Sequence, residues 1–133
     1  VNYLPYKLVF GNVYNVLVVG YSMEDCVFCK IVKGELPSEK VLENNDFIVI
    51  KPLNPEVEGH SLIIPKEHYK TFSDIPQELY KEFLKTTKET INKLEIESYN
   101  LVINSGKDSG REIPHVHMHV LPRKKGDGFK LTV

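Results

Sequence analysis

The chain is poor in cysteine, carries no excess of either charge and has no long apolar run. Two cysteines in 133 residues are too few for a disulfide scaffold. With 17 basic against 18 acidic residues, the formal charge is -1. Lysine and glutamate are mixed along the chain instead of gathered in blocks, which excludes the electrostatic footprint of a nucleic-acid binder. No segment approaches the ~18 uninterrupted apolar residues of a membrane helix, and there is no repeat or low-complexity tract. A single globular domain with a real core remains.

Residues 1–22, "VNYLPYKLVFGNVYNVLVVGYS", stand apart: rich in valine and tyrosine, with one lysine and no acid. They lack the charged start and small-residue cleavage site of a secretory signal, so the expected location is the cytoplasm (or also the nucleus in a eukaryote). They are read as an extension or leader, with strand or hairpin character around Gly11-Asn12. The domain proper is placed at 23–133, from "MEDC" onward.

Asp25 is expected to cap a short helix through "CVFCKIVKG", with Gly34 as its left-handed stop. Two strand-like runs follow, Val41–Glu43 and Phe47–Lys51, around an Asn44-Asn45-Asp46 turn. A Pro/Gly loop, "PLNPEVEGH", delivers His60 to the strand "SLIIP", and His68 lies just beyond that strand. Leu79, Tyr80, Phe83, Leu84, Thr87, Ile91 and Leu94 recur at helical spacing after Pro76. "YNLVIN" and "PHVHMHVLP" close the domain as two strands joined by "SGKDSGREI". This order predicts an α+β domain: an antiparallel sheet of about five strands with one long and one short helix.

The histidines carry the chemistry. In "HVHMHVLPR", His115, His117 and His119 would share one face of an extended segment, roughly 6.6–6.8 Å apart, with Val116, Met118 and Val120 on the other. The second set reads as core. The first needs what imidazole offers near neutral pH. One reading is a zinc hydrolase in which His-x-His holds a catalytic ion. The other is nucleophilic attack on phosphorus by a neutral imidazole, its neighbours binding the phosphoryl oxygens. The preceding loop, "NSGKDSGR", supplies Asn104, two glycines and Arg111 next to the row, an arrangement suited to phosphate. Cys26-Val-Phe-Cys29 is either a redox pair or half of a zinc site.

On these motifs the chain resembles the histidine triad family, defined by His-φ-His-φ-His-φ-φ and present here as "HVHMHVL". "CVFCKIVKGELPS", "GHSLIIPKEH" and "KGDGF" are similar to the Hint-type and bacterial branches, so the likeness runs from about Cys26 to about Phe129. The resemblance implies the family's fold and hydrolysis of purine nucleotide conjugates, phosphoramidates or dinucleoside polyphosphates, through a nucleotidyl-histidine. It makes His117 the nucleophile, gives His119 a phosphate-oxygen contact, and sets His115 and His60 around them. Asn104 and Gly110, Arg111 and Glu112 would hold the phosphate end. Phe28, Ile31, Leu36, Ile50 and Leu53 match the apolar base pocket. Cys26, Cys29, His68 and His115 match a closed structural zinc set, so zinc is an expected cofactor and no catalytic metal is. A homodimer that binds a small nucleotide, with no nucleic acid or membrane partner, is the implied assembly.

Two positions depart from the pattern. Pro52 stands where Hint-type relatives carry a ribose-binding Asp, which leaves ribose recognition to a neighbour such as Asn54. Arg111 stands where many relatives have Gln, and should favour more highly charged phosphate chains. The alternatives to the hydrolase are a nucleotide-binding or adaptor protein with little turnover and the His-x-His zinc hydrolase.

Overall fold

The computed structural model describes residues 23–132, so the reading of 1–22 as a hairpin-bearing leader lies outside the described residues. A short helix α1 (Val27–Val32) precedes three strands, β1 (Glu39–Glu43), β2 (Phe47–Lys51) and β3 (Ser61–Pro65). The long helix α2 (Tyr80–Lys93) then leads to β4 (Tyr99–Val102) and β5 (Met118–Pro122). The sheet is antiparallel throughout, in the order β1-β2-β3-β5-β4. The expected α+β fold with a five-stranded sheet is what forms.

Alternation along the central strands sorts the core into two layers. Ile48, Ile50, Leu62 and Ile64 pack against Phe28 and Ile31 of α1, together with Ile113. Phe47, Val49, Ile63, Val116, Met118 and Val120 pack against Phe83 of α2. One helix therefore covers each face of the sheet. The β1–β2 turn is built by Asn44, whose Oδ1 accepts from the N–H groups of Asp46 (3.0 Å) and Phe47 (2.8 Å).

Three expectations are corrected. The cap of α1 is Cys26, whose sulfur accepts from the Cys29 N–H at 3.4 Å, because Asp25 belongs to a separate turn over Met23–Asp25. Gly34 does take the left-handed conformation, φ +78°. The inner face of α2 is threonine as much as hydrophobic: Thr86, Thr87 and Thr90 are buried, while Tyr80 and Leu84 are more than half exposed. Thr87 and Thr90 donate to the carbonyls of Phe83 and Thr86, and Thr86 accepts from Asn44 Nδ2, so their hydroxyls are satisfied inside. Finally, regular strand pairing in the histidine segment starts only at Met118, and His115 and His117 lie in the chain just before it.

Candidate active site and metal centre

His115, His117 and His119 lie on the α1 side of the sheet. The rings of His115 and His117 sit edge-on to Phe28, at 5.7 and 5.0 Å. His60, held at the entrance to β3, meets His119 across the β3–β5 pair. Gly59 makes that approach possible: its φ is +82°, and a Cβ there would lie 3.1 Å from Pro122 Cγ.

Hydrogen bonds assign a tautomer to each imidazole of this group. His117 Nδ1 lies 2.7 Å from the His115 carbonyl, which can only accept, so the proton is on Nδ1 and Nε2 keeps its lone pair. The Glu56 N–H donates to His60 Nδ1 at 3.1 Å, which places the His60 proton on Nε2. That proton is directed at His119 Nδ1, 2.9 Å away. His119 must then carry its own proton on Nε2. The chain of bonds thus yields one imidazole with an open lone pair beside one with an open N–H. Burial favours the neutral rings this requires: it pulls His60 down to about 4 and His119 to about 3, and lowers His117, with the Arg111 charge contributing.

His117 and His119 line a small pocket of about 130 Å³ with Glu56, Asn104, Arg111 and Glu112. Gly110 and Ile113 complete its wall. The expected phosphate-end residues therefore come together at the nucleophile candidate. A larger groove of about 670 Å³ runs past Val57, Ile96 and Arg123 but is lined by no histidine, so the histidine row opens on the smaller space. The expected base-pocket residues are divided. Phe28, Ile31 and Ile50 are core, whereas Leu36 and Leu53 are exposed, Leu53 at 70%. Pro52 is buried and Asn54 exposed. Glu56 was missed from sequence, because its contribution to the histidine chain is a backbone N–H that no side-chain pattern signals.

His115 faces a different way. Its Nε2 donates to the Pro65 carbonyl at 2.8 Å, leaving the Nδ1 lone pair 3.3 Å from Cys26 Sγ, 3.6 Å from Cys29 Sγ and 3.1 Å from His68 Nδ1. Cys29 Sγ is 3.2 Å from His68 Nδ1, and the four ligand atoms all lie within 4.8 Å of one another. A tetrahedral ion at zinc's bond lengths would space such donors about 3.3–3.8 Å apart. The donor set and spacing fit a closed Cys₂His₂ site, with the Pro65 carbonyl fixing the His115 tautomer from behind. Without an ion, burial and the neighbouring Cys26 push the Cys29 thiol up to about 12. Because both nitrogens of His115 are spent here, none is left to share an ion with His117. In the second His-x-His pair, the bond from His60 to His119 Nδ1 leaves His119 an N–H at Nε2 beside the His117 lone pair.

Fold and site together define a domain that sets a row of three histidines against a five-stranded antiparallel sheet, and comparison with known proteins agrees. The HIT domain model matches residues 33–126, and the chain belongs to that family. The chain is 41% identical over 106 residues to an uncharacterized HIT-like protein of Methanocaldococcus jannaschii, covering 77% of this chain and 82% of that one. It is 37% identical over 99 residues to the adenosine 5'-monophosphoramidase HNT1 of Saccharomyces cerevisiae, covering 74% of this chain and 63% of the relative. Among solved structures, a Zn-bound histidine triad family protein from Mycobacterium smegmatis superimposes with a TM-score of 0.72 at 32% identity, covering 82% of each chain.

Proposed function

We propose that this protein hydrolyses purine nucleotide conjugates through a covalent nucleotidyl-His117 intermediate. The observation that carries this reading is the His117 Nδ1–His115 carbonyl bond at 2.7 Å, which frees Nε2 for attack beside the pocket. His117 Nε2 bonds to the α-phosphorus as the bond to the leaving group breaks. Water then attacks the same phosphorus and releases the nucleotide and the neutral imidazole. The His119 Nε2–H, set by the bond from His60, donates to the phosphoryl oxygens as their charge grows, with Asn104 and the Gly110 turn on the other side. The activity in the yeast relative's name supports the substrate class.

Zinc is assigned to Cys26, Cys29, His68 and His115 as a structural ion joining α1 to the histidine segment. When bound, it would supply a rigid cross-link and no chemistry at the pocket. A homodimer is proposed through β4, an edge strand that exposes Tyr99 and Leu101. Light scattering should give twice the chain mass for the wild type and a monomer for Leu101→Glu.

The test is AMP release from adenosine 5'-phosphoramidate by wild type and His117→Ala. Turnover in the wild type and a loss of about 10⁴-fold or more in the variant are expected. AMP bound without turnover in the wild type would replace the hydrolase by the binding-protein reading, for which the buried Pro52 is the supporting feature.

A further inference from the structure

We propose that Arg111 is a specificity-determining residue that selects conjugates with a second phosphoryl group next to the attacked phosphorus, over those with a neutral amine leaving group. This rests on the reading of the His117 pocket given above and adds the chemistry of the leaving group.

The chain has two arginines in contrasting settings. Arg123 is neutralised: its Nε and Nη2 bond to Asp127, and it also donates to Asn100 Oδ1 and the Phe129 carbonyl. Arg111 lines the pocket beside His117 and His119. Its Nη1 donates to the Lys70 carbonyl, a neutral acceptor. Among the described residues no carboxylate lies within ion-pair distance of it. The charge is therefore anchored without being cancelled, and the rest of the guanidinium fork has donors to offer.

The anchor is itself held. The Val116 N–H donates to the Tyr69 carbonyl, and the Phe72 N–H to Ser105 Oγ, each at 2.8 Å. The segment from Tyr69 to Phe72 is thus fixed to both ends of the loop that carries Arg111, and the guanidinium is positioned before any ligand arrives. Glu56 also lines the pocket and opposes an anion on its own side of the rim. A substrate whose α-phosphorus sits at His117 therefore places its next phosphate at Arg111 or pays a repulsion.

The experiment is calorimetric binding of AMP and of the non-hydrolysable α,β-methylene analogue of ADP, in magnesium-free buffer, to wild type, Arg111→Gln and Arg111→Lys. The wild type should bind the diphosphate about ten- to a hundredfold more tightly than AMP, the range of one charge-assisted contact. Arg111→Gln should bring that ratio close to one, and Arg111→Lys should fall between, since an ammonium keeps the charge and loses the fork. Equal binding of the two ligands by the wild type, or an unchanged ratio in Arg111→Gln, overturns the inference alone. Failure of the wild type to bind either nucleotide overturns the pocket reading and the inference with it.

Discussion

Burial holds His60 and His119 neutral at pH 7, and that neutrality makes the fold sensitive to mild acid. An unfolded histidine takes up its proton near 6.5, whereas folded His60 does so only at about 4. Between those values the unfolded chain binds more protons, so stability falls as the pH falls through this window. For His60 alone, linkage gives a loss of about 2 kcal/mol between pH 7 and pH 5. His119, folded value about 3, titrates over the same window and hydrogen-bonds to His60. The pair then accounts for about 2–4 kcal/mol. Few folded carboxylates change charge above pH 5, so the window isolates histidine. The assay is urea unfolding at several pH values on wild type and His60→Leu. Acid effects on the Cys₂His₂ cluster are common to both proteins and cancel in the difference. The variant should lose about 2 kcal/mol less than the wild type on going from pH 7 to pH 5. Parallel curves for the two proteins, or a His60 ring that titrates near 6.5 by NMR, would refute the reasoning.

Other consequences can be checked separately. Native protein should contain about one zinc per chain by elemental analysis, and both thiols should react with a thiol reagent only after chelation. Full thiol reactivity in untreated protein would count against the metal site. Gly59→Ala should cost about 1–2 kcal/mol in denaturant unfolding, because it puts a Cβ at φ +82° and against Pro122, and it should weaken turnover by shifting His60. Phe47→Ala, which empties a fully buried ring site packed on Phe83 at 5.0 Å, should cost about 3–5 kcal/mol. Asn44→Ala removes two turn contacts and the bond to Thr86 and should cost about 1–3 kcal/mol, read in the same way.

Local physics made much of this molecule legible. The continuous apolar runs in "FIVIK" and "SLIIP" mark strands buried on both faces, and the Asn44 turn follows from a side chain that can bond its own backbone. Alternation also places His115, His117 and His119 on one side, and all three lie on the α1 side of the sheet although strand pairing starts only at Met118. What the sequence could not settle depends on contacts between distant segments. Capping passed from Asp25 to Cys26 because the chain before the helix turns separately. Thr86 and Thr90 are inside, and Tyr80 and Leu84 outside, because the sheet selects which face of α2 it covers and the threonine hydroxyls can satisfy themselves on the preceding turn. The division of labour among like histidines is the clearest case. His115 and His117 are two residues apart and chemically identical. The Pro65 carbonyl and two cysteines turn one into a metal-ligand candidate, and the His115 carbonyl turns the other into a nucleophile candidate. Sequence supplies the imidazoles, and the position of each proton is set by acceptors that only the folded chain brings near.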